Sequence, residues 1–251
     1  MGDGVAVARS RRARRWRAAL GLLGVALALV ALAPGGDARA RAQGAPQGQA
    51  ATVTRVVIPL PFAFPPTVNA YIVRRGDAAA IVDTGIPGSA DALEAALVSA
   101  GLEWTAVRQV ILTHNHPDHT SGAPEVLARA YLAQLWIGAA DIPLLRSAAA
   151  RPAYDGDEIF GLRVVATPGH TGGHISLFDP GTGTLLAGDA IWNLGGTLTG
   201  SAPQFTWSGE LAAASVRRLG TLTFERAYMG HGEPLESGAA QAIRQLGARE
   251  P

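Results

Sequence analysis

The spacing of apolar residues divides most of the chain beyond residue 52 into short strands and helices. Residues 53–58 and 68–73 are β-branched, alternating runs and predict strands. Between them lies the apolar, proline-stiffened stretch Pro59-Leu60-Pro61-Phe62-Ala63-Phe64-Pro65-Pro66. Arg74-Arg75-Gly76-Asp77 makes a turn, and residues 78–82 form a strand that ends on Asp83-Thr84-Gly85. Ser89 can N-cap a helix whose Leu93, Ala96, Leu97 and Ala100 share one face, and Gly101 ends it. Residues 107–112 predict a buried strand, and a helical pattern resumes near Thr120, covering roughly 122–130. A short strand at 134–137 and a helical stretch with Ile142, Leu144 and Leu145 follow. Strands return at 162–166, 175–178 and 184–187, the last two joined by a Gly181-Thr182-Gly183 turn. Residues 192–208 predict a loop carrying Gly, Thr and aromatic residues. A helix at 209–219, a strand at 226–229 and a helix from about 236 close the chain. Two successive blocks of strands followed by helices predict two sheets packed face to face with helices outside.

Residues 1–42 break this pattern. Arg9 to Arg17 form a strongly basic stretch, followed by uncharged apolar residues 18–33 and Pro34-Gly35-Gly36. Ala38-Arg39-Ala40 and Ala40-Arg41-Ala42 are candidate cleavage sites, so the segment predicts an export signal. Ser10-Arg11-Arg12 only loosely resembles a twin-arginine signal. The alternative is a retained membrane anchor, for which the run is short of the ~20 residues a spanning helix needs. Either route predicts a periplasmic or secreted body, or one anchored to the cytoplasmic membrane and facing outward. Residues 43–51 read as a Gly/Ala/Gln/Pro linker, and the catalytic body is expected over 52–251.

Composition narrows the chemistry. The chain of 251 residues has no cysteine and no lysine. That excludes disulfides, thiolate metal sites, cysteine nucleophiles and Schiff-base chemistry. The formal charge of +1 conceals an uneven distribution. Residues 1–42 hold 8 Arg and 2 Asp, leaving 13 Arg against 18 Asp or Glu, a net of −5, in the remainder. The body is mildly acidic with scattered arginines, so nucleic acid is not an expected partner. A small-molecule substrate is expected instead, with membrane contact only through an uncleaved N-terminal segment.

The six histidines all lie among glycines, prolines or aspartates at predicted strand ends. Three lie in Thr113-His114-Asn115-His116-Pro117-Asp118-His119, and two in Thr167-Pro168-Gly169-His170-Thr171-Gly172-Gly173-His174. The last is in Gly230-His231-Gly232, and Ala187-Gly188-Asp189 ends a strand as Asp83 does. Imidazole and carboxylate donors suit zinc and other first-row divalent metals. Asp83 reads equally well as a turn cap or as a partner for the outer N–H of a metal-bound histidine. His174, at a strand start, reads as a supporting or structural residue.

The ordered set His114-x-His116-x-Asp118-His119, His170, Asp189 and His231 resembles the metallo-β-lactamase superfamily. Val68-Asn69-Ala70-Tyr71, Asp83-Thr84-Gly85 and Gly230-His231-Gly232 extend the resemblance across about residues 53–248. It implies an α/β four-layer αββα sandwich with two mixed β-sheets. It implies that His114, His116 and His170 bind one metal, that Asp118, His119 and His231 bind a second, and that Asp189 bridges both. Two divalent ions are therefore expected, zinc by default, with iron or manganese as alternatives. The implied activity is an exported hydrolase that uses a dinuclear metal-bound hydroxide to cleave an ester, thioester, lactone or amide bond. Asp118 is the expected catalytic residue, orienting the water and moving its proton.

Within that resemblance, several branches fit less well. Class B β-lactamases carry Cys or Ser at the Asp189 position, and some use a lysine, so β-lactam hydrolysis is at most a minor activity. Glyoxalase II carries a C-terminal domain longer than the 20 residues that follow His231. Quorum-quenching lactonases often have Tyr where Trp192 stands. The expectation is a compact glyoxalase-II-like hydrolase, with a mononuclear iron persulfide-dioxygenase-like enzyme as the alternative. Phe62, Phe64 and Trp192 are candidate substrate contacts, joined by Phe205 and Trp207 as aromatic loop residues. Arg146 or Arg151 is a candidate for holding an anionic group.

Overall fold

The computed structural model describes residues 49–61, 63–145 and 149–249. The export or anchor segment at 1–42, most of the linker, Phe62 and Arg146 lie outside the described residues. Among the described residues, no helix is long and apolar enough to cross a membrane.

The first sheet is built in chain order from β1 (Thr52–Pro59), β2 (Thr67–Arg75), β3 (Ala78–Val82), β4 (Val107–Leu112), β5 (Gln134–Gly138) and β6 (Arg151–Ala153). The first three strands pair antiparallel, and β3 to β6 pair in parallel. β6 contains Pro152, which is tolerated because β6 is the edge strand. The second sheet uses β7 (Glu158–Ile159), β8 (Leu162–Ala166), β9 (Ile175–Asp179) and β10 (Thr184–Gly188). A separate hairpin follows, β11 (Ile191–Leu194) and β12 (Thr197–Gly200), and then β13 (Arg226–Met229). The second sheet runs β13-β10-β9-β8-β7. Only β10 and β13 pair in parallel, so this sheet is mixed too.

The sheets pack face to face, as the strand pattern predicted. Tyr71, Val73, Val82 and Ile111 from the first sheet share one buried cluster with Leu162, Val164, Leu177 and Leu186 from the second. The outer face of the first sheet is covered by α1 (Ala90–Ser99) and α3 (Ala123–Arg129), with Leu93, Leu97 and Val126 fully buried, and the short α2 (Pro117–Thr120) lies between them in the chain. The outer face of the second carries α4 (Gly209–Leu219) and α5 (Ala239–Gly247), which bury Val216, Leu219 and Ile243. Each fully buried aliphatic side chain of this kind contributes about 1.5–3 kcal/mol. The result is a four-layer αββα sandwich.

Three local expectations need correction. Ser89 occupies the N-cap position of α1, but its hydroxyl accepts from the Ile86 amide at 3.1 Å and makes no cap bond. The helix after the histidine run starts at Pro117 rather than near Thr120, because proline at the first helical position pre-sets φ. The span 192–208 is largely ordered: β11 and β12 close over Gly195-Gly196, both at positive φ.

Candidate metal centre

Five loops meet at one edge of the sandwich, each leaving the C-terminal end of a strand. Asp83 follows β3, His114 follows β4, His170 follows β8, Asp189 follows β10 and His231 follows β13. Cross-sheet bonds bring these ends together. The Ile175 amide donates to the Thr113 carbonyl at 2.8 Å, and the Asn69 amide to the Gly230 carbonyl at 2.8 Å.

The Asp83-Thr84-Gly85 motif forms a cradle for α2. Asp83 Oδ1 accepts from the Thr113 amide at 2.7 Å. Its Oδ2 accepts from Thr113 Oγ1 at 2.8 Å and from His119 Nδ1 at 2.9 Å. The Thr84 amide and hydroxyl both donate to the His119 carbonyl, and the Gly85 carbonyl accepts from the Gly122 amide. Asp83 adopts φ 60°, a left-handed conformation that costs a non-glycine residue of order ~1–3 kcal/mol. Its three hydrogen bonds offset that strain. Of the two open readings of Asp83, the geometry matches the partner to a histidine N–H.

Counting donors and acceptors fixes the ring tautomers. Thr113 Oγ1 gives its one proton to Asp83, so at 3.0 Å His114 Nδ1–H must donate to it. His114 Nε2 is then a bare lone pair, buried and without a hydrogen-bond partner. His119 donates Nδ1–H to Asp83, and His231 donates Nδ1–H to the Thr67 carbonyl at 2.6 Å. Both therefore present Nε2 to the cluster. Outer partners of this kind are what ligating histidines ordinarily have.

The inward-facing atoms form overlapping donor sets. His114, His116 and His170 offer nitrogens within 4.8 Å of one another, as do the donor atoms of Asp118, His119 and His231. Asp189 lies between them. Its Oδ2 is 3.4 Å from His170 Nε2 and 3.3 Å from His231 Nε2, and its Oδ1 is 3.4 Å from His119 Nε2. Asp118 Oδ2 is 3.3 Å from His231 Nε2. Both His170 nitrogens, His114 Nε2 and Asp189 Oδ1 are buried without hydrogen-bond partners. Unpaired buried polar atoms are costly, and this convergent nitrogen and oxygen set fits divalent metal ions.

The electrostatics divide the cluster. Burial, reinforced by neighbouring imidazoles, pushes His114 well below the ordinary histidine value. Burial likewise brings His170 down to about 4 and His174 down to about 3. Burial also opposes charge on His119 and His231, but carboxylates outweigh it. Asp189 and Asp83 raise His119 well above the usual value, and Asp189 and Asp118 raise His231 to about 9. Asp189 is itself buried, yet His119 and His231 hold it well below the carboxylate range. One side of the cluster is neutral imidazole; the other is imidazole paired with carboxylate.

His174 stands outside the donor sets. Its Nε2 accepts from the Asp189 amide at 3.0 Å, so its proton is on Nδ1, which donates to Thr167 Oγ1 at 2.8 Å. Thr167 bonds Ser176 Oγ, which donates to the Ala187 carbonyl. This chain of bonds sets the backbone from which Asp189 projects. Gly188, at φ 56°, has no room for a side chain, because a Cβ would meet His174 Nε2 and Thr113. Gly230 is similarly constrained, since a Cβ there would strike Asp189 Oδ1 and the His119 ring.

Sequence reasoning assigned no role to Asp141. This fully buried carboxylate accepts from the Asn115 amide (3.0 Å), Thr171 Oγ1 (2.7 Å) and the Gly173 amide (2.7 Å). It joins the loop carrying His114 and His116 to the loop carrying His170. The available signal was one acid inside the apolar run 135–145, which needs partners if buried. Asn69 was also given no role. Its Nδ2 donates to the Met229 and Gly232 carbonyls at 2.9 Å, on either side of His231.

A cleft of about 440 Å³ opens above the donor atoms, lined by His116, Asp118, His170, Asp189 and His231 and by Phe64, Trp192 and Phe205. Trp192 is only 3% exposed and packs at a tilt against His231 with centroids 4.7 Å apart. Arg151 lies over the Trp136 ring on the first sheet and does not line the cleft.

Comparison with known proteins agrees with this fold. The sequence profile of the Metallo-beta-lactamase superfamily matches residues 63–231. A hydroxyacylglutathione hydrolase from Alkalilimnicola ehrlichii is 38% identical over 158 residues, 61% of this chain and 56% of that protein. The chain thus spans little more than half the length of that relative. Among solved structures, the metallo-beta-lactamase family protein TTHA1429 from Thermus thermophilus superposes with a TM-score of 0.60 at 25% identity, covering 78% of this chain and 77% of that one. TTHA1623 in a di-iron-bound form gives a TM-score of 0.58 at 26% identity, covering 77% of this chain and 98% of that one.

Proposed function

The chain belongs to the metallo-beta-lactamase superfamily, and on that premise we propose that it is a metal-dependent hydrolase of an ester, thioester, lactone or amide bond in a small molecule. One observation carries the reading: two donor sets with Asp189 between them converge at the floor of an open cleft. His114, His116 and His170 would hold one ion and Asp118, His119 and His231 the second, with Asp189 reaching both. Such ions supply Lewis acidity and lower the pKa of water. Zinc is the ion proposed, since nitrogen and oxygen donors suit it, and the di-iron form of TTHA1623 supports iron as the alternative.

Asp118 lines the cleft with a part-exposed side chain, whereas Asp189 and Asp83 are buried. It is therefore placed to orient the attacking water and accept its proton. The water oxygen adds to the acyl carbon, the bond from that carbon to the leaving oxygen, sulfur or nitrogen breaks, and the proton passes to the leaving atom. A mononuclear iron oxygenase needs only one donor set. The second, carboxylate-bearing set favours the hydrolase.

The test is a panel of esters, thioesters, lactones and β-lactams assayed on metal-quantified protein. Two metal equivalents and chelator-sensitive hydrolysis are expected. One iron per chain with oxygen uptake would replace this reading. The basic and apolar segment at 1–42 supports export as part of the same proposal. N-terminal sequencing of the protein recovered from periplasmic and membrane fractions tests it, and recovery of intact chain from the cytoplasm alone would remove it.

A further inference from the structure

Away from the donor atoms, the cleft wall is apolar. It is formed by Leu60, Ala63, Phe64, Ile86, Trp192 and Phe205, with prolines between them. The ionisable side chains among its described lining all belong to the donor sets. A second groove of about 530 Å³ opens on the other side of His116 and His170. Its described lining is neutral, with Asn115, Thr171, Gln204 and Trp207, apart from the donor histidines and Asp141. The Asp141 oxygens are already taken by Asn115, Thr171 and Gly173. No described arginine lines either cavity, and the chain has no lysine.

A substrate arm carrying a carboxylate or phosphate would leave water for a wall whose described residues offer it no cationic side chain, which is costly. An alkyl or aryl arm would gain from the same transfer. The wall is continuous with the donor cluster, so a bond held at the cluster must have one flank against Phe64, Trp192 and Phe205. The exposed aromatic rim fits this: Phe64 is 68% and Trp207 69% exposed, at the mouths of the two cavities. We propose that the substrate carries an apolar alkyl or aryl arm seated against Leu60, Phe64, Ile86, Trp192 and Phe205. This rests on the hydrolase reading and narrows its substrate class.

The experiment uses two ester series on metal-loaded protein. In one the acyl group lengthens from acetate to octanoate with a fixed p-nitrophenol leaving group; in the other the alcohol lengthens from ethyl to octyl with a fixed acetyl group. Each series has partners in which a terminal carboxylate replaces the terminal methyl. In at least one series kcat/KM is expected to rise about fourfold per methylene until the cleft is filled. The carboxylate partners should fall roughly 100-fold below their methyl counterparts. Phe205→Ala should flatten the chain-length slope. Flat slopes in both series, or a preference for the carboxylate arm, would overturn the proposal. If no ester turns over, the scissile bond is not an ester, and the apolar seat is still open to test. The cleft is then tested by titrating linear alkyl methyl ketones against tryptophan fluorescence. Affinity that climbs with chain length supports the apolar seat, and affinity independent of length removes it.

Discussion

The floor of the cleft and its mouth are built on opposite plans. On the floor, three of the converging histidines have their outer nitrogen tied down: His114 to Thr113, His119 to Asp83 and His231 to the Thr67 carbonyl. The loops carrying the donors are tied to one another by Asp141, Asn69 and the Thr113–Ile175 bond. At the mouth, Phe64 is largely exposed, as is Trp207 on the adjoining groove, and Phe205 makes a loose ring contact with Trp192 at 6.3 Å. A metal site needs donor atoms held to a fraction of an ångström, and second contacts on each ring provide that. An apolar wall needs only area, which is non-directional. Changes on the floor should therefore alter whether the reaction occurs, and changes at the mouth should alter what reacts.

The strongest test of that contrast is Asp189→Ala. It removes the carboxylate lying between both donor sets and should cut hydrolysis by about a thousandfold or more, beyond the 10–100-fold usual for supporting residues. Metal content by mass spectrometry should fall from two equivalents to one or fewer. Retained activity with two metals bound would break the contrast.

Asp141→Asn comes next. It keeps the shape but aims an amide N–H at groups that are themselves donors, loosening the two histidine loops. Metal affinity, measured by chelator competition, should weaken 10–100-fold. A variant with unchanged metal affinity and altered substrate preference would move Asp141 from the floor to the mouth.

At the rim, Trp207→Ala should leave metal stoichiometry intact and change kcat/KM ratios between substrates by about tenfold or less. Loss of metal from this variant would show that the mouth holds the floor in place. The smallest effect is expected at the tip of the β11–β12 hairpin. Gly196 has φ 82°, so Gly196→Ala should cost about 1 kcal/mol and lower Tm by roughly 2–4 °C, without a change in metal content.

Much of this contrast was already legible in the chain. The candidate donors were legible as a group because metal chemistry needs particular atom types, and the loops and short helix that carry them follow strand ends. The strands themselves were readable because buried parallel strands are dense in Val, Ile and Leu. The β11–β12 hairpin was read as a loop because its Gly-Gly turn sits among threonines and a tryptophan with little contrast between faces. Asp141 was passed over because a lone acid in an apolar run has no periodicity.

By itself the sequence determined the layered architecture and the inventory of candidate donors, since periodicity and side-chain chemistry are local properties. Tertiary structure alone decided the rest. Asp83 and Thr113 are 30 residues apart, and His231 and Thr67 are 164 apart, yet these pairs determine which nitrogen of each histidine faces inward. Proton positions depend on which acceptor lies across a gap, and that is a property of packed loops from two sheets. The apolar wall likewise exists only because Leu60, Ile86, Trp192 and Phe205 are brought around one cluster. Hydrophobic surface becomes a substrate cleft only when distant segments enclose it.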